Sequence, residues 1–158
     1  MPVYCEKQQE FSLSSLLSPK LILFLEKCSR DEILHELTEL VDSFGLLENK
    51  TAFFQALVKR ENIMSTGIGM GVAIPHGKLD GRSEFFIAIG IHSQGILWDS
   101  IDGALVRLIF LIGGPDNAPS EYLKLLSTLT HTLRDECRRQ RLLKAKTVEE
   151  VLSVFIGV

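Results

Sequence analysis

Cysteine is scarce in this chain and scattered. Cys5, Cys28 and Cys137 are isolated among 158 residues, with no C-x-x-C pair. An odd, dispersed set argues against a disulfide framework and suits a reducing compartment. A basic excess is missing too. Seventeen Lys and Arg stand against twenty Asp and Glu, a formal net charge of −3, where a duplex-binding protein needs a basic face. The one basic run, Arg138-Arg139-Gln140-Arg141, reads as a solvated helix face. Long hydrophobic runs are absent as well. The most apolar stretch, residues 104–112, is broken by Arg107 and is far shorter than the roughly 20 residues needed to span a bilayer. The N-terminus has acidic and polar residues where a signal peptide needs a continuous apolar segment. There is no internal repeat, low-complexity tract or linker. These absences predict a cytoplasmic protein that neither binds nucleic acid nor inserts into a membrane. With 46% hydrophobic residues, the chain has enough apolar material for one real core, so residues 1–158 are expected to form a single domain with its core at about 12–156.

The order of elements follows from periodicity and punctuation. Residues 1–11 read as a loose start. Residues 12–17 allow one helical turn, stopped by Ser18-Pro19, and residues 21–25 form a short strand. Ser29-Arg30-Asp31-Glu32 is a capping box, after which Ile33, Leu34, Leu37, Leu40, Val41 and Phe44 fall on one helical face that stops at Gly45. A second helix starts near Lys50, carries Phe53, Phe54, Leu57 and Val58, and ends about Arg60. Further on, Gly81-Arg82-Ser83 turns into a strand over residues 84–92. Gln94-Gly95 reads as a turn, residues 96–98 as a short strand and Asp102-Gly103 as a hairpin-type turn. Residues 105–112 are the candidate central strand, and residues 113–117, rich in Gly and Pro, read as a loop. From Ser120 a helix places Leu123, Leu126, Leu133 and Cys137 on one stripe. Thr147-Val148-Glu149-Glu150 is a capping box for a last helix through Val151, Leu152 and Phe155. The order implies an α/β domain with a small mixed β-sheet flanked by helices.

The chemistry concentrates in residues 60–77. Gly67, Gly69 and Gly71 allow close approach to the backbone, and Val72, Ala73 and Ile74 read as a brief buried strand. Pro75 holds Ile74 extended and is expected to end the pairing, so that His76 emerges at a strand terminus with Gly77 leaving its ring open on one side. A neutral imidazole is a competent nucleophile near neutral pH. A nearby Arg60 would favour the uncharged ring and offer a fork to phosphoryl oxygens, and Ser65, Thr66 and the glycine amides are further donors. The bland reading is a histidine that merely finishes a strand, and spacing alone does not choose between the two. Other motifs fail. Gly67-x-Gly69-x-Gly71 lacks the third glycine of a dinucleotide fingerprint, no Gly-Lys-Ser/Thr closes a phosphate loop, and no Gly-x-Ser-x-Gly elbow is present. His35, His92 and His131 show no metal spacing, and His35 and His131 read as surface residues.

Arg60-Glu61, Ser65-Thr66-Gly67-Ile68-Gly69 and Gly71-Val72-Ala73-Ile74-Pro75-His76-Gly77 together resemble the active-site segment of the enzyme IIA domains of the bacterial sugar phosphotransferase system, fructose/mannitol class, which includes the nitrogen-regulatory enzyme IIA proteins. The likeness continues through Gly95-Ile96, Asp102-Gly103, residues 108–112 and residues 121–126, and covers nearly the whole chain from about Leu16. It implies a phosphohistidine carrier. His76 would accept a phosphoryl group from an HPr-like phosphocarrier and pass it to an enzyme IIB domain, or hold it as a signal to a regulatory target. Arg60 would be the active-site arginine. Ser65, Thr66, Gly67, Gly69, Gly77 and Tyr122 would line the phosphoryl group, with no metal and no cofactor. Because no IIB, IIC or HPr segment is attached, a regulatory nitrogen-type role is expected over a dedicated transport role. One departure stands out: the family commonly has Glu-His-Leu where this chain has Glu121-Tyr122-Leu123. A tyrosine can hydrogen-bond but carries no positive charge, so an interaction module with weak or lost phosphotransfer is the alternative. A small hydrolase using His76 as base is a remote third reading, since no nucleophile is marked.

Overall fold

The computed structural model describes residues 12–79 and 84–158. Cys5, the N-terminal start and the turn expected at Gly81-Arg82-Ser83 lie outside them. Two 3-10 turns, Leu13–Leu16 and Pro19–Leu21, lead into β1 (Ile22–Leu25). Then come α1 (Arg30–Ser43), α2 (Lys50–Ile63), β2 (Gly67–Gly69), β3 (Val72–Ala73), β4 (His76–Leu79), β5 (Phe86–Ile96) and β6 (Val106–Pro115). The chain closes with α3 (Pro119–Leu133), α4 (Glu136–Lys144) and α5 (Val148–Ser153). The helix starts are local: Ser29 accepts from the Glu32 amide and Thr147 from the Glu150 amide, as both capping boxes require.

Among the described residues the strands form one mixed sheet in the order β1-β5-β6-β3-β2, with β4 also paired to β6. β5 and β6 run antiparallel, while β1 is parallel to β5, and β3 and β4 are parallel to β6. Side chains alternate across a strand, which splits the core in two. Ile87, Ile89 and Ile91 of β5 join Leu108, Phe110 and Ile112 of β6 beneath Tyr122, Leu125, Leu129, Leu142 and Phe155 of the C-terminal part. Phe86, Ala88, Ile109 and Leu111 face the other way, against Ile33, Leu34, Leu37, Phe53 and Leu57 of α1 and α2. Buried on both faces, β6 reads as a continuous apolar run, as a central strand does.

Several boundaries differ from the sequence reading. Gly113, Gly114 and Pro115 are strand, not loop, and pair with Gly77, Lys78 and Leu79. Their glycines serve close approach: a Cβ at Gly113 would stand 2.2 Å from the Phe86 ring, and one at Gly114 2.2 Å from the Phe85 ring. The turn expected at Gln94-Gly95 is an irregularity inside β5, since Ile96 still pairs with Val106, and residues 97 and 98 are not strand. α3 buries Tyr122, Leu125, Leu129, Thr132 and Leu133. Leu123 is 68% exposed, and Cys137 is exposed on the separate helix α4. Phe44 is exposed at the end of α1, and α2 runs on to Ile63, so Arg60 lies within its last turn. Asp102 does sit in a turn, with the Gly103 amide on the Ser100 carbonyl at 2.9 Å. Its carboxylate accepts from the Ala104 and Met70 amides, and these bonds hold it below the usual carboxylate range.

Candidate functional site around His76

Pro75 does not end the pairing, as expected from its missing amide. It marks a hand-over. β3 pairs with β6 at Leu108 and Ile109, the Ile112 amide donates to the Pro75 carbonyl at 2.9 Å, and β4 takes up the same edge with His76 opposite Ile112. His76 therefore opens a strand instead of closing one, and its ring is half-buried. Its Nδ1 lies 3.0 Å from the carbonyl oxygen of Ile74. A carbonyl only accepts, so Nδ1 carries the proton and the lone pair of the neutral ring is on Nε2.

One wall of the imidazole is Tyr122. The ring centroids are 5.6 Å apart at 59°, and Phe85 packs on the other side of Tyr122 at 5.3 Å and 74°. The Tyr122 hydroxyl lies 3.3 Å from the carbonyls of Gly77 and Ile112, so its proton is donated to the backbone of the β4–β6 pair. Burial pushes this phenol well above its ordinary value, which keeps that donor in place. Gly77 is buried, and a Cβ there would stand 2.6 Å from the Phe53 ring of α2, so its missing side chain makes room for that packing.

The stretch before the histidine is held from the end of α2. Arg60 Nη1 donates to the Met64 carbonyl at 2.7 Å. The buried Glu61 carboxylate accepts from the Thr66 amide at 2.9 Å, from the Thr66 hydroxyl and from Trp98 Nε1 at 3.1 Å. Ser65 Oγ donates to the Trp98 carbonyl at 2.8 Å and accepts from the Gly67 amide at 3.1 Å. The Ile74 amide in turn donates to the Thr66 carbonyl at 3.1 Å, in line with the antiparallel β2–β3 pair. Thr66 therefore lies beside Ile74, two residues before His76.

The sequence-predicted set thus divides. His76, Gly77 and Tyr122 form one cluster on β4 and α3. Arg60 is bonded to the Met64 carbonyl and to none of these three among the described residues. The hydroxyl protons of Ser65 and Thr66, expected to face an anion, are donated to Trp98 and Glu61 instead. Gly67 and Gly69 lie against Ser100 and Asp102, where their missing side chains admit the β5–β6 connection. The sequence reading gives Glu61 no role and does not single out Trp98. The signal for Trp98 was its being the one tryptophan, whose buried N–H needs an acceptor. Among the described residues no group of three His, Cys, Asp or Glu is placed to hold a metal ion, and no helix is long and apolar enough to cross a membrane.

Residues 15–157 match the family described as phosphoenolpyruvate-dependent sugar phosphotransferase system, EIIA 2. A nitrogen regulatory protein of Bradyrhizobium diazoefficiens is 33% identical over 145 residues, covering 90% of this chain and 94% of that one. The crystal structure of nitrogen regulatory protein IIA-Ntr from Neisseria meningitidis superposes with a TM-score of 0.83 at 31% identity, covering 90% of this chain and 97% of that one. The Escherichia coli enzyme IIA for mannitol, solved in complex with phosphorylated enzyme IIB, shares the fold: TM-score 0.77 at 23% identity, over 90% of this chain and 98% of that one. The chain also matches two EIIABC components, a fructose-specific one of Bacillus subtilis and a mannosylglycerate-specific one of Escherichia coli, spanning 21% and 20% of their lengths. By the match along nearly its whole length, this chain belongs to the EIIA type 2 family of the phosphoenolpyruvate-dependent sugar phosphotransferase system.

Proposed function

We propose that this chain is a phosphohistidine carrier with His76 as the acceptor. The observation that carries the reading is the bond from Nδ1 to the Ile74 carbonyl, which leaves the lone pair on Nε2 of a half-buried ring. In the step we put forward, Nε2 attacks the phosphorus of a phosphohistidine on an HPr-like carrier. The new N–P bond forms as the old one breaks, and the donor nitrogen keeps the electron pair. Nδ1–H stays on Ile74 throughout, so the proton inventory of His76 does not change. Such a transfer asks for alignment and charge stabilisation more than covalent help. Arg60 supplies the charge: a guanidinium has five N–H donors, and the bond to Met64 uses one. Ser65, Thr66, Gly67 and Gly69 act at one remove, by holding the backbone beside the histidine. No metal enters this step.

Tyr122 does not favour the weak-transfer alternative. Its hydroxyl is bonded to the backbone and its ring walls the imidazole, so the acceptor keeps its orientation without a second histidine. Partners in this reading are proteins: the HPr-like donor, and an enzyme IIB domain or a regulatory target as recipient. Ile63, Met64 and Leu123 are largely exposed and flank the Arg60 segment and Tyr122 in sequence, which suits transient protein docking. We favour the regulatory role in the cytoplasm, supported by the nitrogen-regulatory names of two relatives matched over nine-tenths of this chain.

The test is direct. Incubation with enzyme I, HPr and phosphoenolpyruvate is expected to give an acid-labile phosphoryl adduct by intact mass, absent in His76→Ala. An unchanged wild-type mass with active cognate carriers overturns the reading.

A further inference from the structure

We infer that Glu61 is the positioning residue of the histidine site, fixing the tautomer of His76 through Thr66 and Ile74. This rests on the phosphocarrier reading for its consequence, though not for its geometry. Glu61 is 4% exposed. No cation is bonded to it among the described residues, and a buried carboxylate without one is costly. What satisfies it is three donors: the Thr66 amide and Trp98 Nε1 on Oε2, and the Thr66 hydroxyl on Oε1. An ionised carboxylate, acceptor-only with two oxygens, suits that set.

Those bonds lead to the imidazole in three links. Glu61 holds Thr66. The Thr66 carbonyl holds the Ile74 amide at 3.1 Å. The Ile74 carbonyl takes the Nδ1 proton of His76 at 3.0 Å. The last link decides which ring nitrogen carries the lone pair, so a shift at Thr66 is passed to the nucleophile. Arg60, one residue earlier, holds the Met64 carbonyl. Two consecutive helix residues thus hold one short segment at two points, Met64 and Thr66, the first offering charge and the second setting position. A carboxylate serving stability alone would leave the tautomer of His76 unchanged when removed.

The experiment uses the full chain with Glu61→Ala, Glu61→Asp and Glu61→Gln, read two ways. Long-range proton–nitrogen spectra of labelled histidine, taken on the alkaline side of the imidazole titration, report the His76 tautomer. Phosphoryl uptake from phospho-HPr reports kcat and KM separately. Wild type is expected as the Nδ1–H form. Glu61→Ala and Glu61→Asp are expected to mix the tautomers and lower kcat by about 10-fold or more with KM unchanged, the pattern of a misaligned acceptor. Glu61→Gln keeps one acceptor oxygen for Thr66 N–H and Trp98 and turns its amide to the Thr66 hydroxyl, so it is expected to recover most of the loss. If Glu61→Ala fails to fold, Glu61→Asp, which retains the charge and withdraws it by one methylene, gives the same readout. A wild-type tautomer in folded Glu61→Asp or Glu61→Ala overturns the inference, whatever happens to transfer. Failure of wild type to take up phosphoryl groups overturns the carrier reading instead, and the tautomer still decides the role of Glu61.

Discussion

His76 and His92 lie at opposite ends of one sheet and use their nitrogens in opposite ways. His76 is opposite Ile112, which is opposite Ile87, and His92 is five residues further along β5, roughly 16 Å along the strand direction and two strands across from His76. At His76, Nδ1 donates to a carbonyl. At His92, Nδ1 accepts, from the Gly95 amide at 2.9 Å and the Gln94 amide at 3.3 Å. The neutral ring proton of His92 is therefore on Nε2, which is buried with no hydrogen-bond partner among the described residues. His92 is 4% exposed, and its acceptor nitrogen stitches the irregular part of β5. The lesson is that which nitrogen of a histidine donates and which accepts follows from the backbone group that faces Nδ1. Residue type does not decide it.

That contrast can be broken experimentally. The largest effect is expected at the structural histidine. His92→Leu strands two backbone donors and should destabilise the fold by about 2–3 kcal/mol in urea denaturation, while the folded protein still takes up phosphoryl groups. Loss of the adduct in folded His92→Leu would show that the two ends of the sheet are not independent. Next comes the packing beside His76. Gly77→Ala drives a methyl into Phe53, and overpacking of this kind costs about 1–3 kcal/mol by thermal or urea unfolding. Pairing it with Phe53→Leu should return part of the loss, and no return would mean the strain lies elsewhere. The smallest effect sharpens the role of Tyr122. Tyr122→Phe removes one hydroxyl donor and should cost about 0.5–1.5 kcal/mol. Its pH dependence carries the sign of the raised phenol. The fold favours the neutral form, so the contribution is fully present below the ordinary phenol value near 10. It is lost as pH rises above that value toward the folded one, while the unfolded chain ionises. Wild-type stability should thus fall more steeply above about pH 10 than that of Tyr122→Phe, and parallel curves would contradict the buried hydroxyl.

Much of the scaffold was legible because it is local. The helix starts at Ser29 and Thr147 rest on side chains three residues from the amides they cap, and β1 and β6 announce themselves as apolar runs. His35 and His131, read as surface residues, are exposed on α1 and α3. The errors have a common cause. Gly113 and Gly114 look like loop punctuation, yet they are glycine because Phe86 and Phe85 occupy the space of a side chain. The apolar spacing of α3 points to Leu123 as a buried member, one residue off. Tyr122 is the buried member, because a tyrosine at that register can pack its ring and still reach two carbonyls. Ser65 and Thr66 looked like anion donors because the acceptors of their protons, Trp98 and Glu61, are not marked as such in the sequence.

The sequence by itself determined the class of fold, the helix starts, the central strand and the presence of one histidine between Pro75 and Gly77, since these depend on propensity and periodicity over a few residues. Only the tertiary structure decided which nitrogen of that histidine holds the lone pair, that β4 continues the edge left by β3, and that Glu61 closes on Thr66 and Trp98. The physical reason is that a hydrogen bond is specified by both of its ends. Trp98 meets Glu61, and Tyr122 meets Gly77, across tens of residues of chain whose approach no local pattern encodes.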